Sequence, residues 1–95
     1  MYARVASFEG GDLERIRQLN EERTAAGTQN MPEGITRTLV LADHEGNRRQ
    51  FITFFESREV LDAAQPQFEA MGAEIPEEIR GRRTSVDVYE VVYDE

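Results

Sequence analysis

The segment Arg49–Phe55 is the feature that most restricts what this chain can become. Read at a two-residue period it is a β-strand, with Phe51 and Phe55 on one side and Ile52 and Phe54 on the other. Thr84–Tyr93 has the same character, with Val86, Val88 and Val92 on one side and Tyr89, Val91 and Tyr93 on the other. Side chains that alternate along a strand cannot share a face, so both faces of the sheet that holds these strands must be kept from water. The 95 residues fit one domain, 1–95. A chain of that length buries only about 60–65% of its extended surface on folding, so its own core is modest.

The rest of the chain supplies the other elements. Tyr2–Phe8 alternates Tyr2, Arg4, Ala6 and Phe8 against Ala3, Val5 and Ser7, which predicts a first strand. Gly10 and Gly11 break it, and Asp12 can cap a helix with Leu13, Ile16 and Leu19 on one stripe and an end near Gly27. Thr28–Gly34 reads as a loop. Ile35–Ala42 predicts a second strand, with Ile35, Leu39 and Leu41 beside Arg37, and Thr36, Thr38, Val40 and Ala42 opposite. Asp43-His44-Glu45-Gly46-Asn47 is a hairpin turn in which Gly46 is expected to take a positive φ. After the third strand, Ser57 can cap a second helix with Leu61, Ala64, Phe68 and Met71 on one stripe, ending at Gly72. Pro66 inside it predicts a kink or a break into two short helices. Ile75–Arg83 is a connector with one helical turn begun at Pro76, and Thr84–Tyr93 closes the chain as a fourth strand.

The order β-α-β-β-α-β is the split-βαβ, ferredoxin-like α+β arrangement: a four-stranded antiparallel sheet with two helices on one face. The helices leave the other face bare. A second copy of the chain, packed sheet on sheet about a two-fold axis, is the simplest cover, so a homodimer is expected.

Charge narrows the partners. Nineteen acids against eleven bases give a net charge of −8, and every base is arginine. That field repels phosphate backbones and anionic lipid, which excludes nucleic acid and membrane surfaces as expected partners. The apolar runs are too short to cross a bilayer, and the N-terminus lacks a secretory pattern. Without lysine there is no Schiff-base side chain, and without cysteine there is neither disulfide nor thiolate, in keeping with a cytoplasmic protein.

Two resemblances follow from these residues. The stretch Phe51–Ala64 resembles the third strand and second helix of RNA-recognition motifs, but Gln50 stands where that motif has glycine and Thr53 where it has an aromatic. Together with the acidic balance, this sets RNA binding aside. The Tyr2-Ala3-Arg4-Val5 opening, the Asp43–Asn47 hairpin, the Phe51–Phe55 strand running into Ser57-Arg58-Glu59, and the closing Ser85–Val91 strand resemble the dimeric α+β barrel group. That group includes antibiotic-biosynthesis-monooxygenase-like proteins, and the resemblance covers nearly the whole chain. It implies two ferredoxin-like units whose sheets join into a barrel, with small organic molecules bound between sheet and helices. Members of the group include cofactor-free oxygenases acting on polycyclic phenols, haem-degrading enzymes and lactone isomerases. The haem-degrading members use an asparagine, a histidine on the second helix and a tryptophan. Here tryptophan is absent and the single histidine lies in the hairpin, which argues against that activity. The resemblance thus implies a monooxygenase-like enzyme without a cofactor, acting on a small aromatic or polyketide-like molecule. The alternative is a non-catalytic ligand-binding or stress-associated structural dimer.

No catalytic residue stands out from the sequence. His44 between Asp43 and Glu45 reads as a turn residue, because neighbours on a turn rarely converge on one ion, and no metal site is expected. Arg80-Gly81-Arg82-Arg83 reads as a solvated connector paired with Glu77, Glu78 or Asp87. Arg4 and Arg37 sit on strand faces among apolar groups and need partners there, either a protein group or the phenolate or carboxylate of a ligand. Arg4, Arg37 and Tyr89, whose hydroxyl can line a pocket, are the candidate ligand-binding residues.

Overall fold

A computed structural model describes residues 1–25 and 34–94. The elements are β1 (Tyr2–Glu9), α1 (Leu13–Ala25), β2 (Ile35–Asp43), β3 (Arg48–Phe55), α2 (Arg58–Glu74), α3 (Glu77–Arg80) and β4 (Arg82–Glu90). The strands form one antiparallel sheet in the order β2-β3-β1-β4, with β3 and β1 central and β2 and β4 at the edges. This is the ferredoxin-like α+β arrangement. The expected helix end near Gly27 and loop residues 28–33 lie outside the described residues.

The starts of α1 and α2 are capped as their sequences suggest. The Asp12 carboxylate accepts the Arg15 N–H at 3.0 Å, and the Ser57 hydroxyl accepts the Val60 N–H at 3.3 Å. Helix α2 lies on the face that carries Phe55. There Phe55, Leu61, Ala64 and Phe68 form the buried core, with Tyr2, Ile35, Phe51, Met71 and Val88 packed around it. The Phe68 ring meets Phe51 and Phe55 edge-on, with centroids 6.3 and 6.2 Å away. Helix α1 buries Ile16 and lies beside α3, where the Asp12 N–H donates to the Ile79 carbonyl.

Several expectations need correction. Pro66 neither breaks nor splits α2, which runs unbroken from Arg58 to Glu74. Pro66 and Asp62, whose carbonyl loses its N–H partner, are both exposed, so water can serve the freed oxygen. The helix also passes Gly72, and its last turn closes with the Ile75 N–H donating to the Gly72 carbonyl. In the hairpin, Asn47 rather than Gly46 takes the positive φ, at 47°. Asparagine tolerates that region best among residues with a Cβ. Gly46 is needed for space instead: a Cβ there would stand 2.8 Å from Asp43 Oδ2 and 2.9 Å from Arg48 Nε, an ion pair closed across the turn.

Strand β2 does not keep one alternation. Its register against β3 shifts between Ile35 and Arg37, so Ile35 joins the helix-covered core while Arg37, Leu39 and Leu41 face the other way. Strand β4 starts at Arg82, where it pairs with Glu9, and ends at Glu90 rather than Tyr93. The ladder with β1 ends where Tyr2 faces Glu90, and the Val91 N–H makes one further bond, to the Met1 carbonyl.

Candidate functional site

Residues directly opposite in the ladder share a face. Tyr2, Arg4, Ala6 and Phe8 of β1 therefore lie with Arg49, Phe51, Thr53 and Phe55 of β3 on the side that α2 covers. Two arginines are built into this face. Arg4, on a central strand, is only 3% exposed. Its Nε donates to Gln65 Oε1 at 2.7 Å, its guanidinium stands 4.4 Å from the Phe68 ring centroid, and Glu69 is 3.8 Å from Nη2. Burial pulls its pKa below the usual arginine value, Glu69 works against that pull, and Arg83 adds to it.

Arg49 occupies the other end of the same face, 4.4 Å from the Phe8 ring centroid and 9% exposed. Its Nη2 donates to the Arg80 carbonyl at 3.3 Å. Its buried Nε–H has no partner, and among the described residues no carboxylate pairs with it. Arg80 is built alike: Nη1 donates to the Gly72 carbonyl at 3.1 Å and its buried Nε–H has no partner. Burial, followed by the Arg80 charge, lowers the Arg49 pKa. Arg49 remains a cation at neutral pH. The Thr53 hydroxyl, fully buried opposite Arg4, is unpartnered as well.

Around these cations the surface arginines are neutralised. Arg48 pairs with Asp43 at 2.6 Å, Arg82 with Glu9 at 3.2 Å and Arg83 with Glu69 at 2.7 Å. The basic cluster therefore does pair with acids at Arg82 and Arg83, but not with the expected Glu77, Glu78 or Asp87. Strand β4 begins at Arg82, which sets that residue against Glu9 and turns Arg83 toward α2. A cavity of about 460 Å³ lies where β1 ends and β3 and β4 begin, with Ser7, Phe8, Leu41, Arg49, Gln50 and Ser85 in its lining.

The three residues singled out from sequence are not brought together. Arg4 is on the helix-covered face. Arg37 and Tyr89 are on the opposite one, at either end of a cross-strand row Arg37–Phe54–Ala3–Tyr89. Four strands at about 4.8 Å spacing put their backbones roughly 14 Å apart. The Arg37 guanidinium lies 6.0 Å from the Phe54 ring centroid, and Tyr89 is 56% exposed. His44 stands exposed in the turn, and among the described residues no three His, Asp or Glu side chains gather as a metal site would.

Arg49 and Arg80 escaped sequence reasoning. The signal for Arg49 was present: it is two residues before Phe51 and six before Phe55, hence on their face. Arg80 carried no such signal, because a four-residue helix has no periodicity to read.

No family model matches the chain, and no curated protein matches its sequence. Among solved structures, a crystal structure of an MhuD point mutant with two manganese protoporphyrin IX molecules bound per active site is similar over 100% of this chain and 98% of its own. The TM-score is 0.59 at 18% sequence identity. The chain thus shares with MhuD the ferredoxin-like fold that its strand order and register already define.

Proposed function

We propose that the protein is a cytoplasmic homodimeric α+β barrel, one domain per subunit. In this reading it is a cofactor-free, monooxygenase-like enzyme acting on a small aromatic or polyketide-like molecule. The observation that carries this reading is Arg4: a buried guanidinium stacked on Phe68, beneath a helix, on the covered side of the sheet. A cation beside aromatic rings is the chemistry that recognises a phenolate, and stabilising the phenolate is what an electron-rich phenol needs before it reacts with dioxygen. The fold shared with MhuD agrees with a monooxygenase-like architecture. Its porphyrin is not carried over. Helix α2 offers no histidine, cysteine or tyrosine as an axial ligand, and the single histidine, His44, is in the exposed turn.

In the dimer, the face bearing Val5, Leu39, Leu41, Ile52, Phe54 and Tyr89 is the one a second copy covers. Arg37 and Tyr89 then belong to that contact or to a ligand enclosed within it.

One observation favours a second reading, a non-catalytic ligand-binding or structural dimer. Phe51, Phe55, Leu61 and Phe68 pack the space between α2 and the sheet, and the described cavity lies at the strand ends instead. A thermal-shift screen of phenols and hydroxyquinones, run with an oxygen electrode, separates the two. The enzyme reading expects a compound that raises the Tm and drives oxygen uptake, with both effects weakened in Arg4→Met. Stabilisation without oxygen uptake leaves the binding protein, and no stabilisation by any compound overturns the aromatic-ligand reading.

A further inference from the structure

The open sheet face carries two neighbouring cross-strand rows at its apolar end. One is Arg37–Phe54–Ala3–Tyr89, and the next is Leu39–Ile52–Val5–Asp87. Further along the same face the charges are closed in ion pairs, Asp43 with Arg48 and Glu9 with Arg82. Arg37 and Asp87 differ from these. Both are exposed, and neither joins an ion pair among the described residues. Arg37 has only the Phe54 ring, its centroid 6.0 Å away.

The two charges stand on the opposite edge strands, β2 and β4. Three strand spacings of about 4.8 Å and one two-residue step of about 7 Å leave their backbones roughly 16 Å apart. They are too far apart to pair within one subunit, and they lie at diagonal corners of the patch formed by Phe54, Ile52, Ala3 and Val5.

The inference rests on the proposed homodimer and specifies how its subunits meet. Sheets packed with their strands aligned can be related by a two-fold axis in either of two directions. An axis across the strands lays β2 over the partner's β2, which sets Arg37 beside its own copy and Asp87 beside its own. An axis nearly along the strands lays β2 over the partner's β4, and opposite charges then meet at both edges. The apolar centre is covered in either case, so the edge charges decide. Like charges face to face weaken an interface, whereas complementary ones fix its orientation.

We propose that the two-fold axis of the dimer runs nearly along the strands, so that Arg37 of each subunit pairs with the partner's Asp87. Symmetry makes the contact twice, once at each edge of the apolar patch.

Sedimentation equilibrium at fixed ionic strength tests this through the dimer dissociation constant. Arg37→Glu is expected to weaken the dimer about 100-fold, because symmetry sets two like-charge contacts against it, and Asp87→Arg should do the same. Combining Arg37→Glu with Asp87→Arg in one chain exchanges the charges, and should return the constant to within about tenfold of the wild-type value. Arg58→Glu, on α2 behind the sheet, makes the same change in net charge as Arg37→Glu and should leave the dimer as tight as the wild type. All three positions are exposed, and circular dichroism checks that each variant keeps the fold. If Arg37→Glu weakens the dimer no more than Arg58→Glu does, or if the double variant stays weak, the proposal falls and the homodimer stands. A wild-type monomer overturns both.

Discussion

At the scale of single residues, the tightest constraint is a backbone crossing. A Cβ on Gly11 would lie 2.6 Å from both the Gly81 nitrogen and the Ile79 oxygen, and one on Gly81 would lie 2.6 Å from the Gly10 oxygen. Both glycines also have positive φ, at 82° and 84°. The obstacles are backbone atoms that cannot rotate aside, so Gly11→Ala should destabilise by about 3 kcal/mol or more, combining conformational strain with the clash. Gly10, at φ 75°, has open space where its Cβ would go, and Gly10→Ala should cost only about 1 kcal/mol. Urea unfolding of the two variants checks the contrast; equal losses would mean that the crossing is not tight. Thr53 gives a prediction of opposite sign. Its hydroxyl is fully buried without a partner, and valine has nearly its shape, so Thr53→Val should leave stability unchanged or raise it by about 1 kcal/mol. A loss in urea unfolding would show that the hydroxyl has a partner in solution.

At the scale of elements, α2 tolerates a residue that helices usually exclude. Proline in a helix interior costs about 3 kcal/mol relative to alanine. Pro66→Ala restores a donor for the Asp62 carbonyl, and it should stabilise by about 1–3 kcal/mol, read as a higher urea midpoint at constant slope. If Pro66→Ala destabilises, the proline ring packs on something its exposure conceals. The same helix shows why its start was legible and its middle was not. Ser57 caps through a local contact three residues long, whereas continuity past Pro66 depends on the long-range packing of Leu61, Ala64 and Phe68 on the sheet. Strand β2 makes a similar point. Its register shift at Thr36, whose hydroxyl donates to the Phe54 carbonyl, is set by its neighbour β3, and no pattern within β2 announces it.

At the scale of the whole molecule, the open sheet face governs assembly. An Ile52→Arg substitution on central strand β3 places a charge in the middle of the proposed contact, and sedimentation should show a folded monomer where the unaltered protein is a dimer. A wild-type monomer at micromolar concentration would remove the barrel. Acid stability is also a whole-molecule property. Arg48 and the Gly46 N–H hold the Asp43 carboxyl below its usual range, and Arg17 does the same for Glu14. A carboxyl lowered in the folded state contributes fully above its unfolded pKa, near 4, and that contribution is lost as pH falls through the lower folded value. Stability should therefore fall as pH drops below about 4, and less steeply in Asp43→Asn with Glu14→Gln; an unchanged slope in a pH-resolved melting series would exclude these pairs as its source.

The alternation of apolar residues, the helix caps and the turn-forming Asp43–Asn47 were enough by themselves to establish element order and the ferredoxin-like fold, because each is a contact between residues near in sequence. The same alternation showed that Arg4 shares a face with the aromatic strand residues. The site was less legible. Which face each arginine joins, and whether it meets a carboxylate, depends on strand register and on where α2 and α3 come to rest. The tertiary structure thus separated Arg4 from Arg37 and Tyr89 and left Arg49 and Arg80 without counter-ions. The physical reason is that the charge environment of a buried cation is set by groups distant in the chain, which only packing brings near.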